Sequence, residues 1–176
     1  LAHIMELSCI EGATLVDGNT RVYFAESLDT FVHDLQRARP TVFFSVPRLW
    51  VKFQQGVQTK MPPKKMDLFL KLPILNGIVK KKVLGALGLD QCIFAAGGAA
   101  PMPIELLRWY ARLGLRVAEG YGMTENLGAT HITTGDPDSF GTVGRPYDMV
   151  QCRIDPANGE IQAKAPWNML GYYKEP

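Results

Sequence analysis

The sequence predicts an α/β fold: parallel βαβ units followed by a small antiparallel β portion that could form part of a barrel. Two observations carry this reading. Between Arg21 and Ala118, short β-type runs alternate with stretches of helical periodicity, the pattern of a parallel sheet with crossover helices. Beyond about Gly128 the runs shorten and are punctuated by Gly, Pro and Asp, as in antiparallel strands joined by turns.

The elements follow in order. Arg21 to Ala25 reads as a strand, and Leu28 to Arg39 as a helix that stops before Pro40. Thr41 to Ser45 is an apolar, β-rich run of the kind expected for a strand buried on both faces. Pro47 opens a helix that runs to about Gln58. Residues 60–73, with three prolines and four lysines, read as a mobile surface connection. From Ile74 to Leu87 a helix is expected, with Ile74, Leu75, Ile78, Val79, Val83, Leu84 and Leu87 on its buried face and Lys80, Lys81 and Lys82 interrupting it. Gln91 to Ala96 is a strand, Pro103 to Leu113 a helix stopped by Gly114, and Leu115 to Ala118 a further strand. The shorter runs at Gly141–Gly144, Val150–Ile154 and Glu160–Ala163 make up the antiparallel portion. A subdomain boundary is expected within residues 134–140, dividing the chain into 1–134 and 135–176.

Composition narrows the function classes. Apolar residues make up 47% and charged residues 20%, an ordinary globular profile. The formal net charge of +2 is too small to argue for nucleic acid. The charge is unevenly placed, however, since nine of the basic residues and only two acidic ones lie between Arg48 and Asp90. Cys9, Cys92 and Cys152 are far apart and odd in number, which excludes a disulfide framework and fits a reducing, cytoplasmic setting. No stretch is long and apolar enough to span a bilayer. The chain opens and closes in mid-pattern, so both termini of the parent protein are expected to lie beyond it.

Two Gly-rich turns follow predicted strands. Ala95-Ala96-Gly97-Gly98-Ala99-Ala100-Pro101 would let backbone approach a flat ligand or a phosphate, although a tight turn alone needs the same residues. Glu119-Gly120-Tyr121-Gly122-Met123-Thr124-Glu125-Asn126 sets a ring between glycines, then a hydroxyl, then a carboxylate. A tyrosine ring stacks on a purine, a threonine hydroxyl donates to phosphate, and a glutamate beside it can hold Mg²⁺. A turn with a core tyrosine and a solvated glutamate is the plainer alternative. His33 and His131 show no metal-ligand spacing and read as core or surface residues.

Tyr121-Gly122-Met123-Thr124-Glu125 resembles the YGxTE signature of the adenylate-forming enzymes, which include acyl- and aryl-CoA ligases. Gly97-Gly98-Ala99-Ala100-Pro101 resembles that family's GGAP segment, and Gly141-Thr142-Val143-Gly144-Arg145-Pro146 its GSVGRP segment. Gly159-Glu160-Ile161 with Met169-Leu170-Gly171-Tyr172-Tyr173 is similar to its GE(I/L)…M.GYY segment, and Leu1-Ala2-His3 to the end of its PL-H segment. The run Phe44-Ser45-Val46-Pro47-Arg48-Leu49-Trp50 is most like the long-chain fatty acyl-CoA ligases. These matches stand in the family's order along essentially the whole chain.

The resemblance implies the large N-terminal domain of an AMP-forming ligase. In that reaction a carboxylate attacks the α-phosphate of ATP, releasing pyrophosphate, and coenzyme A then displaces AMP. Carried over by position, Gly97, Gly98, Ala99, Ala100, Pro101, Glu119, Gly120, Tyr121, Gly122 and Met123 would bind the nucleotide. Thr124 would bind the α-phosphate, Glu125 the Mg²⁺, and His3 would flank the passage for carboxylate and thiol. Fatty acid, ATP and coenzyme A are the implied partners. The acyl pocket would draw on Phe44–Val46, Gly97–Ala99 and Met123–Leu127, which does not decide among long-chain, medium-chain, aryl and amino acids; a non-catalytic nucleotide-binding or scaffold domain also stays open. The family's phosphate loop, ribose aspartate and lid lysine have no counterpart in the chain, so alone it is expected to be inactive. Thr134-Gly135-Asp136 spells the ribose motif out of order and reads as a coincidental loop. The lysines from Lys60 to Lys82 are either a solvated face or a patch for peripheral contact with an anionic membrane surface.

Overall fold

Three prolines set the helical layer. Pro47, Pro63 and Pro73 each begin a helix, where a missing N–H is harmless because that donor has no intrahelical partner. The computed structural model describes residues 4–174. In chain order the helices are α1 (Ile4–Glu6), a π-helical stretch (Leu7–Gly12), α2 (Ala13–Asp17), α3 (Phe31–Ala38), α4 (Pro47–Lys60), α5 (Pro63–Lys71), α6 (Pro73–Ala86) and α7 (Ile104–Arg112). The strands are β1 (Val42–Ser45), β2 (Phe94–Gly97), β3 (Val117–Tyr121), β4 (His131–Ile132), β5 (Arg145–Pro146), β6 (Gln151–Ile154) and β7 (Ile161–Lys164).

The chain groups into two units. One holds Tyr23–Glu119 and Thr134–Gly141; the other holds the residues up to Val22, Gly120–Thr133 and those from Thr142 onward. Strand β3 is divided between them after Glu119.

In the first unit β1, β2 and β3 pair in parallel, as the alternating pattern predicts. Their register sets Ser45, Gly97 and Glu119 side by side at the carboxyl ends, where open α/β sheets hold ligands. Helices cover the sheet through an aromatic cluster. The Trp50 ring meets Phe43 at 5.3 Å and Tyr110 at 4.9 Å, both edge-on. The buried Tyr110 hydroxyl donates to the Trp50 carbonyl at 2.8 Å, so burying it leaves no unpaired donor. Phe53 and Met66 are buried in the same core, each contributing about 1.5–3 kcal/mol.

Several sequence expectations are corrected here. Residues 60–73 are not a loose connection, because Pro63–Lys71 forms a helix whose Met66, Phe69 and Leu70 supply one apolar stripe to the core. In α6 the buried side is Val79 and Val83, followed by Leu87, while Ile74 and Ile78 are 83% and 58% exposed. Seven apolar positions cover more than one stripe of a helix, and packing selects the one with four-residue spacing. No residue of β1 is fully buried, since it is an edge strand whose only ladder partner among the described residues is β2. Arg21 to Ala25 forms no strand, and among the described residues no strand pairs with that segment. The helix expected from Leu28 begins at Phe31, because Ser27 and Thr30 close a turn on each other's amides before it.

In the second unit β4 pairs antiparallel with the end of β3 and with β5. Strands β6 and β7 form an antiparallel hairpin. Its turn is held by the Asp155 amide on the Glu160 carbonyl and the Gly159 amide on the Asp155 carbonyl, both 2.8 Å. The described strands close no barrel.

Candidate functional site

The Gly97–Met102 turn leaves β2 and is tied down by a carboxylate. The amide of Met102 donates to Oε1 of the buried Glu119 on β3, at 2.9 Å. Gly97 and Gly98 are buried, while Ala99, Ala100 and Pro101 are exposed. Ala99 sits at φ +66°, a conformation that costs a residue with a Cβ and that the anchored turn sustains. Glu119 thus acts here as a strut for the turn, a part its place beside Gly120 in the sequence does not announce.

Within the second unit, the Gly120–Asn126 segment ends β3 and turns through a short 3₁₀ helix, Thr124–Asn126. Asn126, buried, accepts the Met123 amide on its Oδ1 at 2.9 Å, and the Gly128 amide donates to the Met123 carbonyl at 2.8 Å. A Cβ on Gly122 would lie 2.3 Å from the carbonyl carbon of Gly128, so only glycine fits where the two limbs of the turn touch. The half-buried Tyr121 ring lies 5.9 Å from the His131 ring, because the β3–β4 register pairs those two residues. Thr124 is exposed, as is Met123.

Glu125 is gripped twice. Its carbonyl accepts the Met169 amide at 2.8 Å, and its Oε1 accepts the Tyr172 hydroxyl. That hydroxyl holds the Glu125 carboxyl below the usual carboxylate range, and the anion in turn pushes the Tyr172 phenol up. A partly exposed carboxylate next to an exposed hydroxyl suits Mg²⁺, which takes one or two protein carboxylates and completes its shell with phosphate and water. Among the described residues no group of three or more His, Cys, Asp and Glu could cage a metal by itself.

Of the residues singled out from sequence, Gly97–Pro101 and Glu119 fall in the first unit, and Gly120–Glu125 in the second. His3 lies outside the described residues. Thr134-Gly135-Asp136 makes a turn: a Cβ on Gly135, at φ +72°, would lie 3.1 Å from the Val117 carbonyl carbon, and Asp136 pairs with Arg116 at 2.9 Å. Sequence reasoning did not single out Asn126, His131 or Tyr172 for these contacts. Asn126 could have been noticed, since an Asn three residues past Met123 can close a turn on it. For the other two no local signal exists.

The chain is similar to known proteins in sequence and in fold. The AMP-binding enzyme family profile matches residues 1–173. Long-chain-fatty-acid–CoA ligase ACSBG2 of Gallus gallus is 31% identical over 161 residues, covering 76% of this chain and 21% of that protein. Long-chain-fatty-acid–CoA ligase 5 of Mus musculus is 30% identical over 204 residues, covering 100% of this chain and 30% of its own. The fold matches O-succinylbenzoate coenzyme A synthetase (MenE) from Bacillus subtilis in complex with AMP, with a TM-score of 0.66 at 18% identity, over 98% of this chain and 32% of that one. The chain therefore spans no more than about a third of these relatives. With the family profile running over the Gly-rich turn, the Tyr121–Glu125 segment and the C-terminal hairpin alike, the chain belongs to the AMP-binding enzymes, the family of the AMP-forming acyl-CoA synthetases.

Proposed function

We propose that this chain is the nucleotide- and metal-binding portion of an ATP-dependent long-chain fatty acid–CoA ligase. The observation that carries the reading is the turn from Gly120 to Glu125, which presents a half-buried ring, an exposed hydroxyl and a partly exposed carboxylate at Tyr121, Thr124 and Glu125. The long-chain ligases among its relatives favour a fatty acid over other carboxylic acids.

In this reading Tyr121 stacks on adenine, and Gly97, Gly98, Ala99, Ala100, Pro101, Glu119, Gly120, Gly122 and Met123 shape the nucleotide's binding surface. Stacking of a base on an aromatic ring is worth about 1–3 kcal/mol. Thr124 donates to the α-phosphate and Glu125 holds Mg²⁺, which when bound neutralises charge on the phosphates. His3 flanks the route of acid and thiol. The acid's carboxylate attacks the α-phosphorus as the bond to pyrophosphate breaks; the coenzyme A thiol then displaces AMP from the acyl carbonyl. The protein's own contribution is positioning and charge placement.

The Glu125→Gln variant of the full-length protein tests this. Its adenylation rate, read as pyrophosphate release, should fall about a hundredfold with fatty acid affinity nearly unchanged. Equal loss in both would remove the metal role. A panel of acids in the same assay identifies the substrate, and aryl or amino acids outrunning long-chain acids would overturn the fatty acid assignment.

The same enzyme would draw its acid from a lipid phase, and we assign membrane-surface contact to the segment Lys60–Lys82. Helix α6 exposes Ile74, Ile78, Lys81 and Lys82 on one side. No helix of the described residues is long and apolar enough to cross a membrane.

A further inference from the structure

The segment after β7 folds back along the Thr124–Ala129 turn. Indole Nε1 of Trp167 donates to the Ala129 carbonyl at 3.1 Å, and the Met169 amide to the Glu125 carbonyl at 2.8 Å. Asn168 fastens the segment to its own strand through Nδ2 on the Ala163 carbonyl at 3.0 Å. With backbone fixed at both ends of the turn, the Tyr172 hydroxyl reaches the Glu125 carboxylate. Main chain and side chain of Glu125 are thus both held by one segment that lies more than forty residues further along the chain.

We propose that Tyr172 is a positioning residue for Glu125, fixing the carboxylate in the orientation that takes a divalent cation. The proposal rests on the reading of Glu125 as the metal ligand. A carboxylate has two oxygens and about four acceptor sites, so one phenol donor leaves it able to bind a cation. The donor's neutrality matters. A lysine or arginine at this place would cancel the charge that attracts the metal, whereas a hydroxyl orients the group and leaves its charge intact. Hydrogen-bonding partners of this kind commonly account for 10–100-fold in metal affinity.

The test measures Mn²⁺ binding by electron paramagnetic resonance in the full-length protein with ATP and no acid, so that nothing turns over. Tyr172→Phe removes only the hydroxyl. It should weaken Mn²⁺ binding about 10–100-fold, while metal-free ATP binding and the melting temperature stay at wild-type values. Glu125→Gln should weaken Mn²⁺ binding at least as much, and Tyr172→Phe added to it should cost nothing more. If Glu125→Gln weakens Mn²⁺ binding and Tyr172→Phe does not, the positioning role is wrong and the ligand role of Glu125 stands. If Glu125→Gln leaves Mn²⁺ binding unchanged, the ligand role falls and the proposal with it. A parallel loss of melting temperature and metal-free ATP binding in Tyr172→Phe would show a merely structural contact and overturn the proposal.

Discussion

A methyl group on Gly122 would meet the backbone of Gly128 at 2.3 Å, and backbone cannot swing aside as a side chain can. Gly122→Ala should therefore destabilise by about 2 kcal/mol, the middle of the range for overpacking, or about 4–8 °C in Tm at this chain length. Gly56→Ala is the control. Gly56 lies inside α4 with nothing near its absent Cβ, so alanine there should stabilise by about 0.5–1 kcal/mol. Thermal melts of both variants decide the matter, and equal Tm values would remove the close approach from the account. The contrast shows why a glycine in a motif is uninformative until its neighbours are known. Gly122 is required by contact between two limbs of a turn, whereas Gly56 is replaceable.

At the scale of elements, the alternation of periodicities is read well and the faces are read badly. Helices α4, α6 and α7 lie close to where proline starts, apolar spacing and the Gly114 stop put them. Helix α5 was hidden because its prolines looked like loop residues, though Pro63 and Pro73 are helix starts. The outward side of α6 bears on membrane contact. Near an anionic surface each lysine contributes about 1 kcal/mol. Reversing Lys81 and Lys82 to glutamate should thus cut co-sedimentation of the full-length protein with phosphatidylserine liposomes by at least about thirtyfold, the loss expected from removing the two lysines alone. Lys52→Glu, exposed on α4, should cut it far less. Unchanged sedimentation in the double variant would mean that this side of α6 is simply solvated.

For the molecule as a whole, the two units divide β3 after Glu119, with the candidates Gly97–Pro101 and Glu119 in one and Gly120–Glu125 in the other. Phosphoryl chemistry depends on many donors held together, and a partial set gives little. By the family resemblance, the 176-residue chain is expected to lack the phosphate loop, ribose aspartate and lid lysine. On its own it should release pyrophosphate from ATP and fatty acid no faster than the uncatalysed background, whereas the full-length protein should turn over. A coupled pyrophosphate assay on both proteins tests this, and measurable turnover by the short chain would show that the parts it carries suffice.

The alternation of β1, β2 and β3 with α4, α6 and α7, and the family, were legible from sequence alone. Each rests on local information: the period of apolar residues, the fixed φ of proline, and short motifs whose residues are adjacent. The tertiary structure alone decided which side of α6 is buried, that the Gly97–Met102 turn hangs on Glu119, that Tyr121 lies beside His131, and that Tyr172 holds Glu125. These are contacts between residues distant along the chain. They depend on strand register and on which surfaces are left after packing, and no periodicity records either.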